Sequence, residues 1–222
     1  MAPLQFGILM IPYQTIDVAG PLDILSSCSQ LLVAPMEAAG FDPGYAGLTA
    51  KAIDITFHHI STTLEPVSLT AGFKAVPSTT VDACPPLDHL LVGGPDPFTF
   101  KLDERFATFV KKHVAEGKGL FTTCSGAWAI ASTGVLDGKN ATVNHEMIGL
   151  AEQMYPNVKW TKEKNWVVDG EGKIWTAGGA CAGMDMLGEW VVQNYGVEVA
   201  SMGFKALDFD RRDVRGERLV KG

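Results

Sequence analysis

The chain has 222 residues, enough to bury a large core without disulfide staples, and it reads as a single domain over 1–222. Its hydrophobic content of 46% and charged content of 19% are ordinary for a compact α/β protein, and no internal repeat, linker or low-complexity stretch stands out. The net charge of −7, with no Lys/Arg run to offset it, argues against nucleic acid as a partner.

The first element, "LQFGILMIP" (Leu4–Pro12), is a nearly continuous apolar run, the pattern of a strand buried on both faces. "DVAGPLDILSSCSQLL" (Asp17–Leu32) follows with helical apolar spacing, and Asp17 stands where an N-cap would. "AIDITFHHIST" and "SLTAGFKAVP" read as extended segments. "DHLLVGGPDP" (Asp88–Pro97) is a buried strand broken by Gly93 and Gly94. "DERFATFVKKHVAEG" (Asp103–Gly117) is an amphipathic helix, capped by Asp103 and closed by Gly117. The strand "GLFTT" comes next, then a turn through Cys124, then the helix "GAWAIAST". "ATVNHEM" is a short strand entering the helix "HEMIGLAEQMY". "NWVVDGEGKIWTA" (Asn165–Ala177) is a β-hairpin around an Asp-Gly turn. "GACAGMDMLGEWVVQNYG" closes the pattern as a long helix, with Asp185 and Glu189 on a solvated edge, and the tail "RRDVRGERLVK" reads as a solvated face. Strands alternating with helices predict a doubly wound, mostly parallel sheet with helices on both faces, plus the hairpin.

No stretch reaches the roughly 18 apolar residues of a membrane span, and the first residues lack a secretory pattern. Cys28, Cys84, Cys124 and Cys181 form no C-x-x-C pair, which argues against a zinc site or a disulfide framework. A cytoplasmic protein with free thiols is expected, with Cys28, Cys84 and Cys181 structural. Trp128, Trp166, Trp175 and Trp190 read as core, with one or two available to a pocket.

In a parallel sheet, ligands gather at the carboxyl ends of the strands. Three such ends carry chemistry here: Asp17, the Gly93-Gly94 pair and Cys124. A thiol between a strand and a helix is pushed out of the backbone by the sharp turn, and the helix N-terminus lowers its pKa toward neutrality. The turn needs small residues after it, and Ser125, Gly126 and Ala127 supply them. The competing reading is a buried core thiol. Asp17, if it meets Cys124, forms a coupled pair in which one member holds the proton, so that it serves as general acid and base. The amides of Gly94 and Ser125 are candidate oxyanion donors. His145 and Gly93 are candidates for the pocket, although a histidine satisfying backbone groups is the plainer reading of His145.

Four stretches in order, "DVAGPLDIL" (Asp17–Leu25), "HLLVGG" (His89–Gly94), "GLFTTCSGAWAIASTGVLDGKNAT" (Gly119–Thr142) and "WTAGGACAGMDMLGEW" (Trp175–Trp190), resemble the ThiJ/PfpI superfamily. That superfamily is a flavodoxin-like α/β fold related to class I glutamine amidotransferases. The resemblance implies Cys124 as nucleophile, Asp17 as its acidic partner, Gly94 and Ser125 as backbone donors, and a homodimer. Ser125 stands where the intracellular-protease branch has a histidine, and Asp17 where the glyoxalase branch has a glutamate. "DVAGP" looks more like the isocyanide hydratase branch, whose Cys-Thr-Gly becomes Cys124-Ser125-Gly126 here. The expected activity is hydration of a small isocyanide to a formamide with no metal or organic cofactor. A glyoxalase acting on methylglyoxal and a redox-sensing or small-molecule-binding protein are the alternatives.

Overall fold

The computed structural model describes residues 2–219. The first apolar run forms β1 (Leu4–Leu9), whose Phe6, Ile8 and Leu9 are fully buried. It lies near the middle of a seven-stranded sheet because both of its faces are apolar. β2 (Ile55–Ser61) pairs parallel with β1, Leu4 opposite Ile55 and Leu9 opposite Ile60. β3 (Val67–Ser68) and β4 (Lys74–Ala75) form a small antiparallel pair outside the sheet. The segment "SLTAGFKAVP" therefore folds back on itself, its turn made by Ala71 and Gly72 with φ of 57° and 77°. β5 (Thr79–Thr80) adds to β2 at one edge.

On the other side of β1 lie β6 (His89–Val92) and then β7 (Gly119–Thr123), both parallel. β8 (Asn140–Ala141) and β9 (Lys159–Trp160) form a second small pair. β10 (Trp166–Asp169) and β11 (Ile174–Ala177) are the expected antiparallel hairpin, and β11 pairs parallel with β7. The sheet order is β10-β11-β7-β6-β1-β2-β5. The chain thus winds one way from β1 to β2 and the other way from β6 to β7. Right-handed crossovers put the intervening helices on opposite faces, and the carboxyl ends of β1, β6 and β7 meet at the reversal.

The first helical segment is two helices, α1 (Thr15–Ser27) and α2 (Gln30–Ala38), where one was expected. Ser29 separates them, its hydroxyl accepting from the Leu31 amide at 3.2 Å as the cap of α2. α3 (Glu104–Ala115) has the expected Asp103 cap, with the Arg105 amide donating at 2.8 Å, and Gly117 follows its end with φ of 70°. α4 (Gly126–Ala131) and α5 (Ile148–Met154) are short. α6 (Ala180–Ala206) runs ten residues beyond the expected end at Gly196, where the backbone breaks with φ of 86° and then resumes. It packs closely on α1: a Cβ at Gly20 would lie 2.8 Å from Met184, and one at Gly203 would lie 2.3 Å from Cys28 Sγ.

Two surface readings need correction. Asp185 is fully buried and paired with Arg212, which approaches through its amide, Nε and Nη2 at 2.8, 2.8 and 2.7 Å. Arg211 forms an ion pair with Glu189 beside it. The start of the segment after α6 is therefore clamped onto that helix, while Arg215, Glu217 and Arg218 are exposed as a solvated face requires, and residues 220–221 lie outside the described residues. Its Val214 carbonyl also accepts from the Asn165 amide at 2.8 Å, tying it to the hairpin.

Candidate active site

All five residues of β7 are buried, and the chain turns sharply as it leaves them. Cys124 makes that turn with φ of 55°, a left-handed conformation that costs a non-glycine residue of order 1 kcal/mol. Its amide donates to Ala177 O at 2.9 Å, and its carbonyl accepts from the Asn144 amide at 3.2 Å. The Ser125 hydroxyl donates to Pro95 O at 2.5 Å, joining the turn after β7 to the turn after β6. Gly126 is obligatory, since a Cβ there would stand 2.3 Å from the Val92 carbonyl oxygen. The result is an elbow whose half-buried cysteine faces the sheet reversal.

Asp17 does not cap α1. Gln14 takes the cap position, and Asp17 lies in the first turn with its side chain fully buried. The Gly94 amide donates to Asp17 Oδ2 at 3.0 Å, and the Thr123 hydroxyl donates to the Asp17 carbonyl at 2.9 Å. The other carboxyl oxygen, Oδ1, is buried with no hydrogen-bond partner of good geometry. The Cys124 thiol is the polar group beside this carboxyl, and each shifts the other's titration. Burial raises the Asp17 pKa to about 6 against the opposing Gly94 and Cys124 hydrogen bonds.

Burial also raises the Cys124 thiol, and the Asp17 charge adds to that. Hydrogen bonds from Asn144 and Ser125 oppose it only in part. The lowering expected at a helix N-terminus does not decide the direction: burial and the Asp17 charge raise the thiol, and α4 has only six residues. Both causes acting on the sulfur favour the neutral thiol, with Asp17 as the acceptor beside it. The Ser125 hydroxyl has one proton, and it is spent on Pro95. The donors left to the sulfur are the Ser125 amide and Asn144 Nδ2, the latter at 3.5 Å.

Gly94 sits where Asp17 and Cys124 meet, but its amide points at Asp17 Oδ2 and not at an open space for an oxyanion. A Cβ at Gly94 would lie 2.6 Å from Ser125 Oγ and 2.8 Å from Asp17 Oδ2, so the residue must be glycine. Gly93 packs against Val18 and Tyr13. The His145 ring lies against Gly178, with Nε2 buried and unpartnered. Asn144 and Thr123 went unnoticed in the sequence reading. The pattern Asn144-His145-Glu146 carried the signal, since Asn144 Oδ1 accepts from the Glu146 amide at 3.1 Å to cap the turn His145–Met147. Cys28 is buried and Cys84 half-buried, whereas Cys181 is exposed and does not fit a structural role in the core. Trp166, Trp175 and Trp190 are in the core. Trp128 is half-buried and packs edge-on against Tyr155 at 5.2 Å. Cavities of about 740, 470 and 300 Å³ lie elsewhere, and Cys124 lines none of them. Among the described residues, no group of three His, Cys, Asp or Glu side chains is placed to hold a metal ion. No described helix is long and apolar enough to cross a membrane.

Residues 17–193 match the DJ-1/PfpI family, a span that opens on Asp17 and contains the elbow. The chain belongs to the DJ-1/PfpI family. Isonitrile hydratase of Pseudomonas putida is 27% identical over 204 residues, covering 90% of this chain and 75% of that protein. The HTH-type transcriptional regulator GbdR of Pseudomonas aeruginosa is 24% identical over 162 residues, covering 73% of this chain. This chain spans only 43% of that regulator's length. Among solved structures, a ThiJ/PfpI family protein of Pseudomonas syringae superposes with a TM-score of 0.74 at 21% identity, over 96% of this chain and 78% of that one. The doubly wound sheet is thus the DJ-1/PfpI fold, as the four sequence stretches implied.

Proposed function

We propose that this DJ-1/PfpI protein hydrates isocyanides to N-substituted formamides, with Cys124 as nucleophile and Asp17 as the proton carrier. The observation that carries the reading is the buried Asp17 carboxyl beside the elbow thiol, one oxygen held by Gly94 and the other with no hydrogen-bond partner of good geometry besides that thiol. The similarity to an isonitrile hydratase over 90% of the chain supports the substrate class.

The terminal carbon of R–N≡C is electrophilic. The Asp17 carboxylate takes the thiol proton as the sulfur attacks that carbon. The same proton passes to the carbon, giving the thioimidate R–N=CH–S–Cys. Asp17, again ionised, then takes a proton from water as its oxygen adds to the carbon, and returns that proton to nitrogen. The C–S bond breaks, the new hydroxyl loses its proton and becomes the formyl oxygen, and the proton returns through Asp17 to sulfur. Net, one isocyanide and one water give one formamide. The Gly94 amide keeps the carboxylate aimed, and the Ser125 amide supports charge on sulfur; a hydrogen bond to a charged group contributes roughly 1.5–3 kcal/mol.

The test is a panel of alkyl and aryl isocyanides with formamide read by mass spectrometry. Formation by the wild type and its loss in Cys124→Ala is the expected result. No formamide from any member of the panel, with the thiol demonstrably reduced, refutes the reading. The similarity to GbdR supports a second one, in which the residues around Cys124 bind a small molecule without turning it over. A Cys124→Ala protein that binds an isocyanide or formamide as tightly as the wild type, from an inactive wild type, would favour it. A homodimer in the cytoplasm remains part of the proposal, and light scattering of the purified chain tests its dimeric half.

A further inference from the structure

The side chain of Asn144 approaches the reacting sulfur in a role opposite to that of Asp17: it brings a donor where Asp17 brings an acceptor. Its Nδ2 is 3.5 Å from Cys124 Sγ, within reach of an N–H···S hydrogen bond. Two further contacts fix that orientation. The Asn144 amide nitrogen donates to the Cys124 carbonyl at 3.2 Å, so the two residues are held together through the backbone. Asn144 Oδ1 accepts from the Glu146 amide at 3.1 Å, which decides which end of the carboxamide faces the sulfur. The backbone just beyond is turned by His145–Met147, the short helix that Asn144 itself caps.

The need for such a donor follows from what the rest of the site leaves unfilled. The Gly94 amide is committed to Asp17 and the Ser125 hydroxyl to Pro95. The sulfur is half-buried beside a carboxylate, both of which penalise its anion. A nucleophile that must also be a leaving group passes through the thiolate twice in each turnover, and the Ser125 amide alone is one donor.

We propose that Asn144 is a catalytic residue of this site, its carboxamide N–H stabilising the Cys124 thiolate both as it forms for attack and as it departs from the adduct. The assignment rests on Cys124 being the nucleophile, and its test is independent of the substrate. The thiolate is titrated by the rate of alkylation with iodoacetamide against pH, on the full chain. Asn144→Ala removes the donor without adding charge. Asn144→Asp keeps the acceptor that caps residues 145–147 and removes the donor, so it guards against a variant that fails only because the turn unravels. Hydrogen bonds to charged groups support an expectation of about tenfold slower alkylation at neutral pH in Asn144→Ala and a larger slowing in Asn144→Asp, whose added charge also opposes the thiolate, with both pH profiles displaced to higher pH. Circular dichroism unchanged from wild type accompanies that result. An alkylation profile for folded Asn144→Ala that superposes on wild type overturns the assignment, and so does a normal profile for folded Asn144→Asp. If alkylation shifts as expected but the wild type makes no formamide, the donor role stands and the isocyanide reading falls. If formamide forms and alkylation does not shift, the reverse holds.

Discussion

Replacing Asp17 by Asn separates the two effects of its carboxyl, because they have opposite signs. The side chain is fully buried and its pKa stands at about 6, against an ordinary value of 3.8. Below the ordinary value both the folded and unfolded chains hold the proton, and no penalty exists. As pH rises from there through about 6, the unfolded chain ionises first and the fold loses stability; above that the loss is complete. The difference corresponds to about 3 kcal/mol at neutral pH. The Asp17→Asn side chain does not titrate and carries no such penalty. Urea unfolding therefore shows the variant gaining on the wild type between pH 4 and pH 6 and holding a constant margin above. The margin is smaller than the full figure to the extent that the new amide goes unpaired, a cost of about 1–3 kcal/mol.

The same substitution acts on the sulfur. The Asp17 charge is second only to burial in raising the Cys124 thiol. Its removal lowers that pKa, and iodoacetamide alkylation of Asp17→Asn at neutral pH is faster than wild type. Turnover moves the other way, falling by about 10²–10⁴-fold with the loss of the proton carrier. In the wild type, turnover rises with pH through about 6 as the carboxyl ionises, and the variant lacks that limb. A variant that alkylates more slowly than wild type, or a stability margin that does not grow with pH, refutes the placement of this carboxyl against the thiol.

Gly94→Ala puts a Cβ 2.6 Å from Ser125 Oγ and 2.8 Å from Asp17 Oδ2, so it displaces both partners, and turnover is expected to fall more than tenfold while the chain still folds by circular dichroism. Cys124→Gly is expected to be more stable in urea than Cys124→Ala by about 1 kcal/mol, because only glycine adopts the φ of 55° without strain. Arg212→Ala removes the guanidinium from the fully buried Asp185 carboxylate and leaves it the backbone amide of residue 212; urea unfolding is expected to show a loss of about 2–3 kcal/mol, below the full cost of a broken buried pair because that amide remains and the Arg212 side chain is 35% exposed.

Much of the architecture was legible in the sequence because it rests on local rules. The apolar run of β1, the Asp103 cap, the Gly117 stop and the Asp-Gly hairpin each follow from residues within a turn or strand of one another. The errors fall where distant residues decide the outcome. Asp17 has the chemistry of a cap and sits in the first turn of its helix, but the Gly94 amide, 77 positions away, claims its carboxylate. Asp185 and Glu189 have helical spacing and charge, the usual marks of a solvated edge, until Arg211 and Arg212 return to cover them. Asn144 was silent because its significance depends on Cys124, 20 residues earlier, and on a carboxamide orientation set by Glu146.

The direction of the thiol shift shows the same division between local pattern and tertiary environment. A cysteine before a helix suggests an activated thiolate, with a buried core thiol as the competing reading. Here the helix is short, while the sheet reversal supplies burial and a neighbouring carboxylate, and those win. The consequence is mechanistic. A resting thiolate needs no base, and Asp17 would then act first as an acid. A resting thiol beside an ionised carboxyl makes Asp17 the base for attack, so that sulfur becomes anionic only when an electrophile is in place. Under the proposed function such a site would attack a neutral electrophile like an isocyanide while remaining a poor target for adventitious oxidation, which requires the free thiolate. Slow oxidation by peroxide in the wild type and fast oxidation in Asp17→Asn, both read by intact mass, are the expected pair; fast oxidation of the wild type would place the resting proton on Asp17 instead.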